Sequence, residues 1–332
     1  MAERAVITGV EGPVITDWER AFLRESDPWG FILFARNVVS PDQVVRLTSG
    51  LRDAVGRDAP VLIDQEGGRV QRLRAPYWRE YLPALDQMRQ CSDPLRGQWL
   101  RNRLIAAELY AVGIDVNCAP TADLVEPGTH PVLLNRLYGE EVATVVDAAQ
   151  ACADALIAGG VLPVVKHIPG YGRAVVDSHL ELPRNTCSLE ELIARDFAPF
   201  AALNTLPMGM TAHIVFDAID PDRPATTSPE VMRVIRETIG FSGLIMTDDL
   251  SMNALSGTLA TRARAAIDAG CDIILHCNGK QADMMEVAEA TPRMSDLAAS
   301  RAGAALALRR DPEPADIAAL EAELGALLAG TA

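Results

Sequence analysis

The sequence predicts an α/β protein folded as one (β/α)8 barrel of the TIM type. Three observations carry that expectation. Short β-branched runs alternate with longer helical segments along all 332 residues. The runs are apolar throughout, as strands buried on both faces of a parallel sheet must be. Eight such runs can be placed, the number that closes this kind of barrel.

In order, the strand candidates are AVITGV (5–10), GFILFA (30–35), PVLID (60–64), IDVNCA (114–119), VLPVVK (161–166), MGMTAHI (208–214), GLIMTD (243–248) and CDIILHC (271–277). Helix starts are legible between them. SPDQVVRLTSGLRDAVG and SPEVMRVIRETIG each begin with Ser at the N-cap and Pro at the first helical position, where a missing N–H costs nothing. SLEELIARDFAPFAAL has capping-box spacing, Ser188 with Glu191 three residues on. The joins from helix to strand, YAVGIDVN, IAGGVLPV and DAGCDIIL, place Gly where a helix ends in a left-handed residue. No G-x-G-x-x-G follows any strand, which disfavours a doubly wound open sheet. From about residue 311 the chain is rich in Ala, Leu and Glu and reads as a helix on the outside, 311–332, within a single domain spanning 1–332.

Composition narrows the class. Apolar residues make up 49%, ample for a large core. The net charge of −15 argues against a nucleic-acid face, which needs a basic stripe, and against binding to an anionic membrane surface. No apolar run approaches the roughly 18 residues of a membrane span, and MAERAVITGV lacks a signal-peptide pattern. Six cysteines (Cys91, Cys118, Cys152, Cys187, Cys271, Cys277) form no C-x-x-C and read as free thiols in a reducing cytoplasm.

A barrel enzyme places its chemistry at the C-terminal ends of strands and in the loops after them. Here the third run ends in Asp64, the fifth in Lys166 and His167, the sixth in His213, the seventh in Asp248 and Asp249, and the eighth in His276. The helix-to-strand joins, by contrast, are mostly Gly, Ala and Pro. The loop after the fifth run, KHIPGYGRAVVDSHLELP, holds two histidines and an Asp-Ser-His triplet, more than a corner requires. Taken singly, Asp248 and Asp249 can be helix caps, and His276 can be structural. Two chemistries suit the rim as a whole. A metal-dependent hydrolase would use Lys166, His167, His213 and Asp248, but the first strand carries no histidine pair to complete its ligand set. Glycoside hydrolysis through a covalent intermediate needs one carboxylate nucleophile and a proton donor opposite it.

VLIDQEGGRVQRL, KHIPGYGRAVVDSHLELP and GLIMTDDLSM, in that order, closely resemble bacterial glycoside hydrolase family 3 β-N-acetylglucosaminidases, and among them the single-domain cytoplasmic enzymes of cell-wall recycling. The resemblance implies retaining removal of terminal β-linked GlcNAc from muropeptides, chiefly GlcNAc-1,6-anhydro-MurNAc with or without peptide. It implies Asp248 as nucleophile, His179 as general acid/base and Asp177 as the partner of that histidine. It also implies Asp64, Arg72, Lys166 and His167 as ligands of the sugar hydroxyls. Arg136 joins them where LLNRLYGEE matches the family's D-R-S-F-G segment, with Asn135 standing for Asp and Leu137 for a small residue. Tyr171 occupies a position where His or Leu is common. A monomer with no cofactor and no metal, acting on a small molecule, is expected.

The residue types suit these roles. A carboxylate ending a buried strand is held rigidly for attack on an anomeric carbon. Imidazole, with a pKa near ~6.5, can give and take a proton, and Asp177 can fix its tautomer. Gly170 and Gly172 suggest a loop that swings over the sugar. Asp249, alternating with Asp248 along a strand, is expected to cap the next helix or orient the site. Phosphorolysis yielding GlcNAc 1-phosphate is the alternative outcome, because a histidine base would not repel phosphate. Attack by the substrate's own 2-acetamido oxygen, oriented by the two adjacent carboxylates, is the mechanistic rival.

Overall fold

The computed structural model describes residues 2–176, 178 and 180–330. The strands among them are β1 (Arg4–Thr8), β2 (Pro28–Leu33), β3 (Val61–Ile63), β4 (Val116–Asn117), β5 (Leu162–Ile168), β6 (Arg184–Asn185), β7 (Met208–Thr211), β8 (Val215–Phe216), β9 (Leu244–Asp249) and β10 (Ile273–His276). Eight of them close into a parallel barrel in the order β1-β10-β9-β7-β5-β4-β3-β2, and β6 and β8 form a small separate sheet. The barrel strands are the eight runs the sequence predicts, with shifted ends.

Their uniform apolarity has the expected cause. Ile7, Ile32, Leu62, Val164 and Met246 fill the barrel interior, where Ala298, Ala302 and Ala305 of the helix Asp296–Leu306 join them. The alternate residues Phe31, Leu33, Val61 and Ile63 face outward into a second cluster with Leu47, Leu51 and Leu104 of the surrounding helices. Each such side chain is fully or nearly fully buried, which contributes roughly 1.5–3 kcal/mol for each Val, Leu, Ile, Phe or Met relative to exposure.

Local signals are mostly realised. Ser40 caps Pro41–Val55 and Ser228 caps Pro229–Arg233, each with Pro in the first turn. Gly113, Gly160 and Gly270 end their helices at φ of 75°, 77° and 110°. Some expectations are corrected. The second Ser-Pro helix passes into a π-helical turn at Val234–Thr238. Ser188 accepts the Glu191 N–H, but the Glu191 carboxylate pairs with Arg173 at 2.9 Å, so no reciprocal box forms. The fourth strand shrinks to two residues, Val116–Asn117, although residues 119–122 still exchange hydrogen bonds with β5, Val164 and Lys166 donating to the Ala119 and Pro120 carbonyls and Ala122 to that of Lys166. His213 lies beyond β7, not within it.

The last helix runs Ile317–Ala329 and packs Leu324 and Leu327 inward. Arg96 grips Glu323 of this helix at 2.7 and 2.8 Å, fixing it against the helix Pro94–Ala111. No helix among the described residues is long and apolar enough to cross a membrane. All six cysteines are free.

Candidate active site

A pocket of about 280 Å³ opens at the C-terminal ends of the barrel strands. Asp64, Arg72, Arg136, Lys166, His167 and Asp248 all line it. Asp177 and His179 lie outside the described residues, although their neighbours Val176 and Ser178 are part of the same wall.

Strands β3 and β5 set opposed charges side by side. Lys166 Nζ contacts Asp64 Oδ1 at 2.9 Å and Glu66 Oε1 at 2.6 Å. Arg72 takes the other oxygen of Asp64 at 3.0 Å. Arg136 grips Glu66 through two parallel bonds of 2.9 and 2.8 Å, the bidentate geometry that favours Arg over Lys. The buried Arg101 donates to the Glu66 carbonyl from behind. A continuous row Arg72–Asp64–Lys166–Glu66–Arg136 results, three cations to two carboxylates.

Burial alone favours neutral carboxyls here, but the cations outweigh it. Lys166 and Arg72 hold Asp64 well below the usual carboxylate range, and Arg136 and Lys166 lower Glu66 from 4.5 to about 2. Burial opposes the charge on Lys166 as well, yet Asp64 and Glu66 raise its pKa. Asp64, Glu66, Lys166 and Arg136 are therefore ionised at neutral pH. Arg72 keeps a buried Nε–H without a partner among the described residues. That donor is free for a ligand, since an unmet buried N–H is costly.

Histidines 167 and 213 are both held, in different ways. His167 Nδ1 contacts Asp123 Oδ2 at 2.7 Å, leaving Nε2 for the pocket. His213 Nε2–H donates to the Asp249 carbonyl at 3.0 Å, and its Nδ1 meets the Thr226 hydroxyl at 2.7 Å. Burial pushes the His213 pKa down despite nearby Asp248, so the ring is neutral at pH 7 and braces the end of β9. With both its nitrogens engaged, His213 does not join Lys166, His167 and Asp248 as the ligand set of a metal-dependent hydrolase. Among the described residues no three His, Cys, Asp or Glu side chains are placed to share a metal ion.

Asp248 is the penultimate residue of β9 and lines the pocket. Its Oδ1 accepts the Asp249 N–H at 2.7 Å, and Oδ2 has no hydrogen-bond partner among the described residues. Burial would raise its pKa, but His213, His167 and that amide lower it overall, so the carboxylate is charged. Asp249 does not cap the following helix, whose N-cap is Thr258. Its Oδ1 accepts the backbone N–H of Ser251 and of Cys277, both at 3.1 Å, and its Oδ2 takes the Ser251 hydroxyl, joining the exits of β9 and β10.

One carboxylate at the mouth of a parallel barrel, faced by fixed donors for hydroxyl groups, is the layout of a sugar-cleaving site. The sequence profile of the "Glycosyl hydrolase family 3 N terminal domain" matches residues 10–302. The chain belongs to glycoside hydrolase family 3. It is a glycosidase, and its curated relatives are β-hexosaminidases, among them one from Methylococcus capsulatus that is 39% identical over 280 residues and 82% of each chain. Native NagZ from Neisseria gonorrhoeae superposes with a TM-score of 0.84 at 30% identity, covering 99% of this chain and 97% of that one. A family 3 β-N-acetylglucosaminidase from Paenibacillus sp. str. FPU-7 gives 0.82 at 30% identity and covers 96% of this chain. The present chain spans 62% of that longer enzyme.

Within this family 3 site, two buried carboxylates escape the sequence reading. Glu66 stands two residues past Asp64, in the same stretch, and ties Lys166 to Arg136. Asp123 follows β4 and orients His167, so the strand-end rule that marks Asp64 and Asp248 is the signal that could have found it. The two loop glycines have a packing cause. A Cβ on Gly172 would stand 2.0 Å from the Leu124 carbonyl oxygen, and one on Gly170 would stand 3.0 Å from that of Asp196.

Proposed function

We propose that this glycosidase is a retaining exo-β-N-acetylglucosaminidase that removes terminal β-linked GlcNAc from muropeptides, GlcNAc-1,6-anhydro-MurNAc with or without peptide, during peptidoglycan recycling in the cytoplasm. It works as a single-domain monomer without cofactor or metal. The observation that carries the reading is the charged Asp248 carboxylate in the pocket, its Oδ2 without a partner among the described residues, beside a row of fixed donors.

In this mechanism Asp64, Arg72, Arg136, Lys166 and His167 hold the sugar hydroxyls. The row has little slack, because each carboxylate is held by two cations, so the ring is located to the tolerance that covalent attack demands. Asp248 Oδ2 bonds to the anomeric carbon as the bond to the leaving oxygen breaks, and His179 gives its proton to that oxygen. Water then attacks the same carbon from the opposite side, His179 takes its proton, and Asp248 is released. Two inversions give retention. Asp177 accepts the other N–H of His179 and keeps its tautomer. Substrate-assisted attack is disfavoured, because it calls on the neighbouring carboxylate and that of Asp249 is committed to Ser251 and Cys277.

Incubation with GlcNAc-1,6-anhydro-MurNAc, followed by proton NMR at early times, tests the reading. β-GlcNAc is expected first, with no effect of chelator and no cleavage of an aryl β-glucoside. Initial α-GlcNAc, or GlcNAc 1-phosphate in phosphate buffer, overturns retention by hydrolysis.

A further inference from the structure

Tyr171 lies at the root of the 168–180 loop, between the two closely packed glycines. Its N–H donates to Asp123 Oδ1 at 2.7 Å, and the other oxygen of Asp123 holds the His167 ring. The Tyr171 and His167 rings lie 5.6 Å apart between centroids. The backbone under the phenol is thus fixed by packing and by a fully buried carboxylate.

From that root the side chain reaches across the loop. The phenolic oxygen accepts the Ser178 N–H at 3.0 Å and lies 3.5 Å from the Val176 carbonyl oxygen. Ser178 is buried, and its carbonyl accepts the Ala254 N–H at 3.2 Å. Ala254 belongs to the segment that continues from Asp248 and Asp249. The hydroxyl of Tyr171 therefore links residues 176 and 178 on one side to the support of His167 on the other.

We propose that Tyr171 is a positioning residue for proton transfer: its hydroxyl clips Val176 and Ser178, and so sets the backbone flanking Asp177 and preceding His179 relative to Asp248. The proposal rests on the proton-handling roles proposed for Asp177 and His179. Its chemistry is simple. A general acid must reach the leaving oxygen at hydrogen-bond distance, and an error of this placement slows only the step in which the proton moves. Removing the hydroxyl while keeping the ring preserves the packing against His167 and the Asp123 bond, which uses the backbone, and deletes the clip.

Tyr171→Phe tests this, with kcat/KM measured on an alkyl β-GlcNAc, whose leaving group needs a proton, and on 2,4-dinitrophenyl β-GlcNAc, whose leaving group does not. A loss of about fivefold is expected on the alkyl glycoside, the size of one net hydrogen bond, with the dinitrophenyl value held within about twofold. Undiminished dinitrophenyl turnover also reports an intact fold and sugar site. Equal losses on both substrates, or none on either, overturn the positioning role. His179→Ala on the same pair separates the two layers. If it shows a large leaving-group dependence and Tyr171→Phe does not, the Tyr171 inference fails alone. If His179→Ala shows no such dependence, the proton-donor reading fails and takes the inference with it.

Discussion

At the charged row beside the pocket, Asp64 and Glu66 are each gripped by two cations. Along the adjoining loop, Val176 and Ser178 are tied by neutral hydrogen bonds from Tyr171 and Ala254. The loop's own root is ionic as well, with Arg173 Nε 3.0 Å from Asp196. Beyond it Val175 and Leu180 are 59% and 76% exposed. The difference follows from what each region has to do. On the proposed reading the row binds sugar and must not move, and buried opposite charges resist displacement because separating them strands a charge in a medium of low polarity. The proposed proton-handling segment gains from ties worth only ~1 kcal/mol each, which can be adjusted without unfolding anything.

The contrast can be broken at its strongest point first. Asp248→Ala removes the nucleophile from the end of β9, and kcat/KM should fall on the order of 10⁴-fold or more, since a fixed reactant acts at very high effective molarity. Retention of more than a few per cent of activity would mean that the bond-forming group is elsewhere. Next comes the charged row. Lys166→Met strands Asp64 and Glu66 without their shared cation, and should cost about 3–5 kcal/mol of stability, read by urea denaturation. A loss below 1 kcal/mol would show that the row is hydrated and loose.

On the loop side, His179→Ala should lower kcat/KM for an alkyl glycoside by about 10²–10³-fold, while the melting temperature stays near that of the parent. A large fall in melting temperature would place this histidine in the framework instead. The smallest effect is one of pH. The Glu66 carboxyl is lowered from 4.5 to about 2 by burial overcome by Arg136 and Lys166. Its contribution to stability is therefore complete above its unfolded pKa of 4.5 and is lost as pH falls toward 2. The stability difference between the parent and Glu66→Gln should hold between pH 7 and 5 and shrink below that. A difference unchanged down to pH 3 would deny the charge on Glu66.

The same contrast decides what the sequence could reveal. All eight barrel strands are legible, because burial on both faces leaves continuous apolar runs with little else they can form. Asp64, Lys166, His167 and Asp248 are legible because each interrupts or ends such a run. Glu66 is hidden by its distance from the strand, and its value lies only in what it touches. Asp123 sits in PTADLVEPG, after a strand cut to two residues, where no periodicity points to it. Gly170 and Gly172 are ambiguous in sequence, since glycine serves freedom and close approach equally, and only the Leu124 and Asp196 carbonyls distinguish them. Glu191 has the spacing of a capping box, but Arg173 arrives from a distant segment and competes successfully for it. Contacts between segments far apart in sequence leave no local pattern to read.

The central claim is that the Asp248 carboxylate forms a bond to the sugar. Treatment with a 5-fluoro-GlcNAc fluoride, proteolysis and mass spectrometry tests it in one step. The account predicts a single mass-shifted peptide, the one containing Asp248, at a stoichiometry that matches the loss of activity. Inactivation with the label on a peptide lacking Asp248, or continued turnover with no labelled peptide, contradicts it.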